Sequence, residues 1–306
     1  MDAGITDLYH KVTRDTQGLS AFFIPEEDDL PAASMVNLLN IALPLYIYPT
    51  LQTWTPLFHS IEKNPSTNFN IIVNPNNGPG GPVPDANYIA CMSKLNSHHN
   101  VNLFGYVHTT WGKRNITDVL SDITTYETWS KHAAADIHID GIFVDESPSN
   151  VNSLQYMTKV YKHAKTALTH GKSVWTNPGV PVDAKFYAVA DMVNAYENTY
   201  DYWAMHRGNE SIPRSLRPKS TVMIHSFKGS TQALKLESDK LIKAGYSAGL
   251  ITTDASYTQF SSLWTSYVDH LGTMEKSPAR TTTSSARKTT QAPTSTATRV
   301  TTALHA

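Results

Sequence analysis

Residues 140–147 read Asp-Gly-Ile-Phe-Val-Asp-Glu-Ser, and the three large apolar residues Ile142, Phe143 and Val144 leave this short run with no polar face. A strand of that kind is covered on both sides, as in a parallel sheet flanked by helices. Two carboxylates, Asp145 and Glu146, follow directly. Seven further apolar runs share the pattern: IALPLYIYP from Ile41, FNIIVNP from Phe69, VNLFGYVHT from Val101, SVWTNP from Ser173, MVNAYEN from Met192, TVMIHS from Thr221 and SAGLITTD from Ser247. Their spacing of about 20 to 40 residues suits one strand, one helix and two loops each.

Segments of helical period fill the gaps. Leu154, Met157, Val160, Tyr161, Ala164 and Leu168 trace one apolar stripe between Asn150 and Gly171, and a second runs from Ser230 to Gly245;. Thr55-Pro56 offers a cap and a first-turn proline after the first strand, and Asp85 a cap after the second;. The turn after the first strand, YPTLQTW, has no glycine-rich phosphate cradle, which argues against an open dinucleotide-binding sheet;. The predicted architecture is α/β, a single (β/α)8 TIM-type barrel over residues 41–274. A polar N-terminal arm over 1–40 precedes it, and a Ser/Thr-rich tail over 275–306, predicted to be disordered, follows.

Composition narrows the function. The 306 residues hold 25 basic and 26 acidic side chains, a net charge of −1, which does not favour a nucleic-acid partner;. No run approaches the ~18 apolar residues of a membrane span. Cys91 is the single cysteine and sits in a helical pattern, as a small buried hydrophobe;. From Ser277 onward 14 of 30 residues are Ser or Thr, a composition that cannot bury a core and that often carries O-linked sugar outside cells;. Asn115-Ile-Thr and Asn209-Glu-Ser match the N-glycosylation pattern;. The first residues, MDAGITDLYHKVTRD, do not read as a secretory leader;. The chain is expected to act as a monomer.

In a parallel barrel the chemistry collects at the C-terminal ends of the strands. Those ends carry Tyr48, Asn74 with Asn76 and Asn77, His108, Asp145 with Glu146, Asn177, Glu197 with Asn198, His225 and Asp254. Any one of these alone could be a helix cap or turn residue, and Glu146 could simply start a helix beside Ser147-Pro148. Together they suggest a site. Breaking a glycosidic bond calls for one carboxylic acid to protonate the leaving oxygen and one carboxylate to attack or to activate water. Asp145, Glu146 and Glu197 are the catalytic candidates. Substrate-binding candidates are Tyr48, Asn74, Asn76, His108, Trp111, Asn177, Tyr196, Tyr200, His225 and Asp254.

Aromatic residues crowd the same loops, with Tyr106, Trp111, Tyr196, Tyr200, Tyr202, Trp203 and Tyr257 at or beyond strand ends, and flat rings with polar edges suit sugar faces;. Trp129, Trp175 and Trp264 read as packing. No HxH or HExxH spacing joins the histidines, so no metal and no cofactor is expected, and no GxSxG elbow supports a serine nucleophile. The alternative to an enzyme is a non-catalytic carbohydrate-binding or developmental wall protein on the same barrel.

The motifs LPLYIYP, IIVNPNNGPG, GYVHTTWG, DGIFVDES, NPG and TDASYTQFSSLW, ordered over about residues 41 to 271, resemble the fungal spherulation-specific (spherulin-like) family of barrel glycoside hydrolases. The resemblance implies an endo-acting enzyme on α-1,4-linked N-acetylgalactosamine, as in the secreted exopolysaccharide galactosaminogalactan. It also implies that the acidic groove residues fall on Asp145, Glu146 and Glu197. An extracellular or cell-wall location would follow, with the cytoplasm as the alternative, because a polar arm stands here where exported members carry a leader.

Overall fold

The computed structural model describes residues 39–206 and 212–276. The tail from Ser277, nearly all of the 1–40 arm and the Asn209 sequon lie outside the described residues.

Eight strands close into one parallel barrel in sequence order. They are β1 (Asn40–Leu45), β2 (Phe69–Val73), β3 (Val101–His108), β4 (Gly141–Asp145), β5 (Ser173–Thr176), β6 (Met192–Thr199), β7 (Ser220–His225) and β8 (Ala248–Ile251). Closure is made where Asn40 and Ile41 pair with Ala248 and Gly249. The helices are α1 (Thr55–Lys63), α2 (Ala86–Asn96), α3 (Ile116–Trp129), α4 (Leu154–Ala167), α5 (Tyr200–Met205), α6 (Thr231–Ala244) and α7 (Trp264–Lys276).

Local chemistry explains most of these boundaries. Asp85 accepts from the backbone N–H groups of Asn87 and Tyr88 and so opens α2;. Ser230 opens α6, and Gly245 closes it at φ +83°, a left-handed conformation that costs glycine nothing;. At α1 the cap differs from the sequence expectation: Trp54 is the capping residue with no side-chain bond, and the Thr55 hydroxyl instead donates to the Leu51 carbonyl at 2.7 Å. No α-helix forms between β5 and β6, only a short 3-10 turn at Ala184–Ala188. Pro178, Gly179 and Pro181 fall in that connection, where two missing N–H donors and a flexible glycine defeat a helical first turn;.

Outward-facing Ile142 and Val144 are fully buried under the helices. Inward, Phe104, Phe143 and Trp175 form an aromatic layer, with ring centroids 5.4 Å apart for Phe104 and Trp175 and 4.9 Å for Phe143 and Trp175. Gly141 makes room for it, since a Cβ there would lie 2.8 Å from the Phe104 ring. Each such ring buries enough surface to stabilise by about 1.5–3 kcal/mol. The layer also closes the barrel floor to water directly beneath the strand-end polar groups.

Candidate active site

One step above that layer stand Tyr106, Asp145 and Asn177, each two residues further along β3, β4 or the end of β5 than a ring of the floor, as strand alternation requires;. The Tyr106 hydroxyl donates to Asp145 Oδ2 at 2.7 Å, and Asn177 Nδ2 donates to Asp145 Oδ1 at 2.7 Å. The same Asn177 nitrogen donates to Glu197 Oε2 at 2.7 Å. One amide thus bridges the two carboxylates, and the facing oxygens lie within twice that distance of each other. The Asn177 backbone is clamped as well, its N–H donating to Val144 and its carbonyl accepting from Ser147.

Glu197 reaches the pocket through a β-bulge. On β6, Asn194 pairs with Thr221 and Tyr196 with Val222, leaving Ala195 unmatched. The extra residue turns Glu197 to the same side as Asn194, whose Nδ2 donates to Glu197 Oε2 at 3.3 Å;. Tyr257 completes the cage by donating to Glu197 Oε1 at 2.9 Å. Burial raises the Glu197 carboxyl above its ordinary range and the nearby Asp145 charge adds to this, while the donors Asn177, Tyr257 and Asn194 act in the opposite direction;. Burial and then the Glu197 charge push the Tyr257 phenol far up; burial and then Asp145 do the same for Tyr106 and Tyr46. The three phenols are therefore neutral, and Tyr106 and Tyr257 act as donors to the carboxylates. Tyr46 stands between the other two, with edge-to-face centroid distances of 5.8 Å to Tyr106 and 6.0 Å to Tyr257.

Glu146 is held differently. It sits at φ +49°, strained for a side chain with a Cβ, and its carbonyl accepts from the Trp111 N–H at 2.7 Å and the Thr109 hydroxyl at 2.8 Å;. Thr110 and Trp111 also adopt positive φ, and the Trp111 ring is left 57% exposed at the mouth. Among the described residues the Glu146 carboxylate has no hydrogen-bond partner, so it is free to meet a ligand.

The other candidates divide. His225 lies edge-on to Tyr257 at 6.5 Å, and burial holds its imidazole below the usual histidine range against the charge of Asp254. Asp254 caps its own loop through Ser256, Thr258 and Gln259. His108 pairs in register with Asp145 and meets the Asn77 carbonyl at 3.1 Å. Asn74 accepts from the Gly78 N–H, and Asn76 is exposed on the same loop. Tyr48 is rim-exposed and bonded to Asp85 and Asn87. Tyr196 and Tyr200 turn outward: the first packs on Trp203 and donates to Thr199, and the second packs on Phe227 and donates to Glu237. Asn194 and Tyr46 join the cage without having been singled out from the sequence, whereas Tyr106 and Tyr257, expected among the rings that suit sugar faces, join it as hydroxyl donors to the carboxylates. Asn194 carried a readable signal, a polar side chain inside an apolar strand. Among the described residues, no group of three or more His, Cys, Asp or Glu side chains is placed to hold a metal ion.

The fold and the acidic strand-end pocket are those of a carbohydrate-active barrel of the glycoside hydrolase kind. The chain belongs to Spherulation-specific family 4, whose profile matches residues 40–271. It is 32% identical over 204 residues to Spherulin-4 of Physarum polycephalum, covering 64% of this chain and 58% of that protein, so it spans less than two thirds of that relative's length. It matches the crystal structure of Aspergillus clavatus Sph3 in complex with GalNAc at a TM-score of 0.73 and 33% identity, over 77% of this chain and 98% of that one. A Ruminococcus gnavus β-glucuronidase shares the fold alone, at a TM-score of 0.51 and 10% identity over 76% of this chain and 49% of its own.

Proposed function

We propose that the protein is an endo-acting glycoside hydrolase that cleaves α-1,4-linked N-acetylgalactosamine-type polysaccharide. The observation that carries this reading is the Asp145–Asn177–Glu197 bridge, two carboxylates held on one amide above a dry aromatic floor. A sugar-binding protein has no need of an acid pair set at bond-straddling distance. The likeness to Sph3, crystallised with GalNAc, supports an N-acetylated galactosamine unit as the recognised sugar. The exposed Trp111, on the loop that holds the Glu146 carbonyl, supports an extended polymer, with the ring stacking on a sugar face;.

In the mechanism this favours, Glu197, whose carboxyl is raised above its ordinary range by burial, protonates the leaving glycosidic oxygen;. Asp145, with both oxygens oriented as acceptors by Tyr106 and Asn177, meets the positive charge that develops at the anomeric carbon. The bridged spacing supports retention, for which carboxyl groups stand about 5–5.5 Å apart, over inversion at about 6.5–9.5 Å. A substrate acetamido group could supply the attacking oxygen in that scheme, with the unpartnered Glu146 placed to share proton transfer. The resemblance to an exopolysaccharide-degrading family supports action outside the cell.

The test incubates purified protein with acetylated and de-acetylated α-1,4-polygalactosamine and follows oligosaccharide release by mass spectrometry. Asp145→Asn and Glu197→Gln should each lower turnover at least ~100-fold while oligosaccharide binding persists. Sugar binding without release by the wild type would make the protein a lectin.

A further inference from the structure

Beneath the carboxylate pair runs a file of buried polar groups that packing does not require. Trp175, Asn194 and Thr221 are each fully buried. Trp175 Nε1 donates to Thr221 Oγ1 at 3.0 Å, and Thr221 Oγ1 donates to Asn194 Oδ1 at 3.0 Å. Asn194 Nδ2 then donates to Asn177 Oδ1 at 2.9 Å, and Asn177 Nδ2 to both carboxylates.

The direction of this file is fixed at its deep end. An indole N–H can only donate, so Thr221 offers it a lone pair and must send its own hydrogen elsewhere. That hydrogen goes to Asn194, which sets the carbonyl end of the Asn194 amide toward Thr221 and its NH2 end toward the pocket. Asn177 is set in turn, carbonyl inward and NH2 toward Asp145 and Glu197. Rotating either amide by half a turn would place a carbonyl oxygen against a carboxylate or two donors face to face. A buried mismatch of that kind is expensive.

We propose that Thr221 is a positioning residue for the acid pair, acting through Asn194 and Asn177 to keep both amides aimed as donors at Asp145 and Glu197. Valine has the shape of threonine and would suit this apolar strand, so what the hydroxyl adds at this position is its hydrogen bonds and not its volume. The kinetic consequence rests on the hydrolase reading; the structural one does not.

The experiment compares Thr221→Val with Thr221→Ser, using kinetics on the acetylated polymer and an NMR titration of the Glu197 carboxyl in 13C-glutamate-labelled protein, assigned with Glu197→Gln. In Thr221→Val the Asn194 amide is released, Glu197 loses a donor to its charged form, and its titration midpoint moves to higher pH. The titratable groups facing that carboxyl are Asp145, Tyr46, Tyr106 and Tyr257, and all remain in place. Turnover falls about tenfold with KM little changed, as for a small misplacement of catalytic groups. Thr221→Ser restores both readings. Should Thr221→Val fail to fold, Trp175→Phe, which frees the Thr221 hydroxyl to rotate, should raise the midpoint in the same direction. An unmoved midpoint in the folded valine variant, or in Trp175→Phe if that is the one that folds, overturns the proposal. So does a serine variant as impaired as the valine one. If the wild type cleaves no polymer, the hydrolase reading falls and the titration alone decides the role of Thr221.

Discussion

Asn194 and Glu197 are three residues apart on one strand yet point into the same pocket, close enough for a 3.3 Å hydrogen bond. A regular strand would send them to opposite faces. The unmatched Ala195 makes the difference, so the acid is delivered to the barrel interior by a backbone irregularity;.

Deleting Ala195 alone should leave Asn194, Tyr196 and Glu197 opposite Thr221, Val222 and Met223, so that simple alternation keeps Glu197 inward and oligosaccharide release persists;. Deleting Ala195 and Tyr196 together puts Glu197 next to Asn194 and so on the opposite face, toward the helix layer. Release should then fall at least ~100-fold, with a cost in stability from placing a carboxylate against apolar packing. Full activity in the double deletion would show that strand alternation does not aim Glu197.

Glu197 should also make the folded protein less stable as pH rises. Its carboxyl titrates above the ordinary glutamate value when folded, because burial and then the Asp145 charge oppose ionisation. The folded chain holds a proton that the unfolded chain releases. The associated stability is fully present below the unfolded value and is lost as pH rises through the folded one. Glu197→Gln carries no such charge. Its melting temperature should be nearest to wild type in acid and exceed it increasingly toward neutrality, measured by calorimetry across that range. A variant less stable than wild type at every pH would contradict this account.

The same elevation should show in catalysis. With Glu197 as proton donor, kcat/KM declines on the alkaline side as this group ionises. Tyr257→Phe removes a donor to the charged form, so the decline should shift to higher pH;. A shift to lower pH would remove Glu197 from the acid role.

At the opposite end of the barrel, in the segment leading into β4, His138 contacts Asp136 through Nδ1 and Asp140 through Nε2, and stacks on His170. Asp140, against burial and with help from Asp136, pushes the imidazolium up to about 9. This raised value contributes stability that is fully present below the unfolded histidine range and is lost as pH rises through about 9;. His138→Asn should therefore lower the melting temperature at mildly acidic pH, with the deficit closing above that point.

Much of the barrel was legible because its strands are apolar on both faces and are bounded by turn residues. Phe69, Val101, Ser173 and Met192 were read as strand starts and are strand starts, and the other four differ by one residue. Asp145, Asn177 and Glu197 could be found by asking what occupies strand ends. Hidden from that question was everything set by the bulge. Without it, Asn194 and Glu197 fall on opposite faces, and nothing in MVNAYEN marks Ala195 as the surplus residue. Tyr48 was placed too close to the centre because β1 ends at Leu45, three residues earlier, so the ring belongs to the rim. Tyr106 is legible as a ring suited to a sugar face, but not as the donor to Asp145, because that depends on where its hydroxyl meets the next strand. The missing helix after β5 is written in Pro178 and Pro181, which break the pattern of eight equal strand–helix units;.

Pro178 has a further effect, on the lifetime of the site. Asparagine ages to aspartate when the backbone nitrogen of the next residue attacks its side-chain carbonyl, and the tertiary nitrogen of proline cannot do so. Asn177, whose NH2 holds two carboxylates together, is thereby shielded from a conversion that would crowd a third negative charge between them. Asn77, followed by Gly78 on the exposed loop beside the mouth, has no such shield and is where chemical wear of this protein should begin.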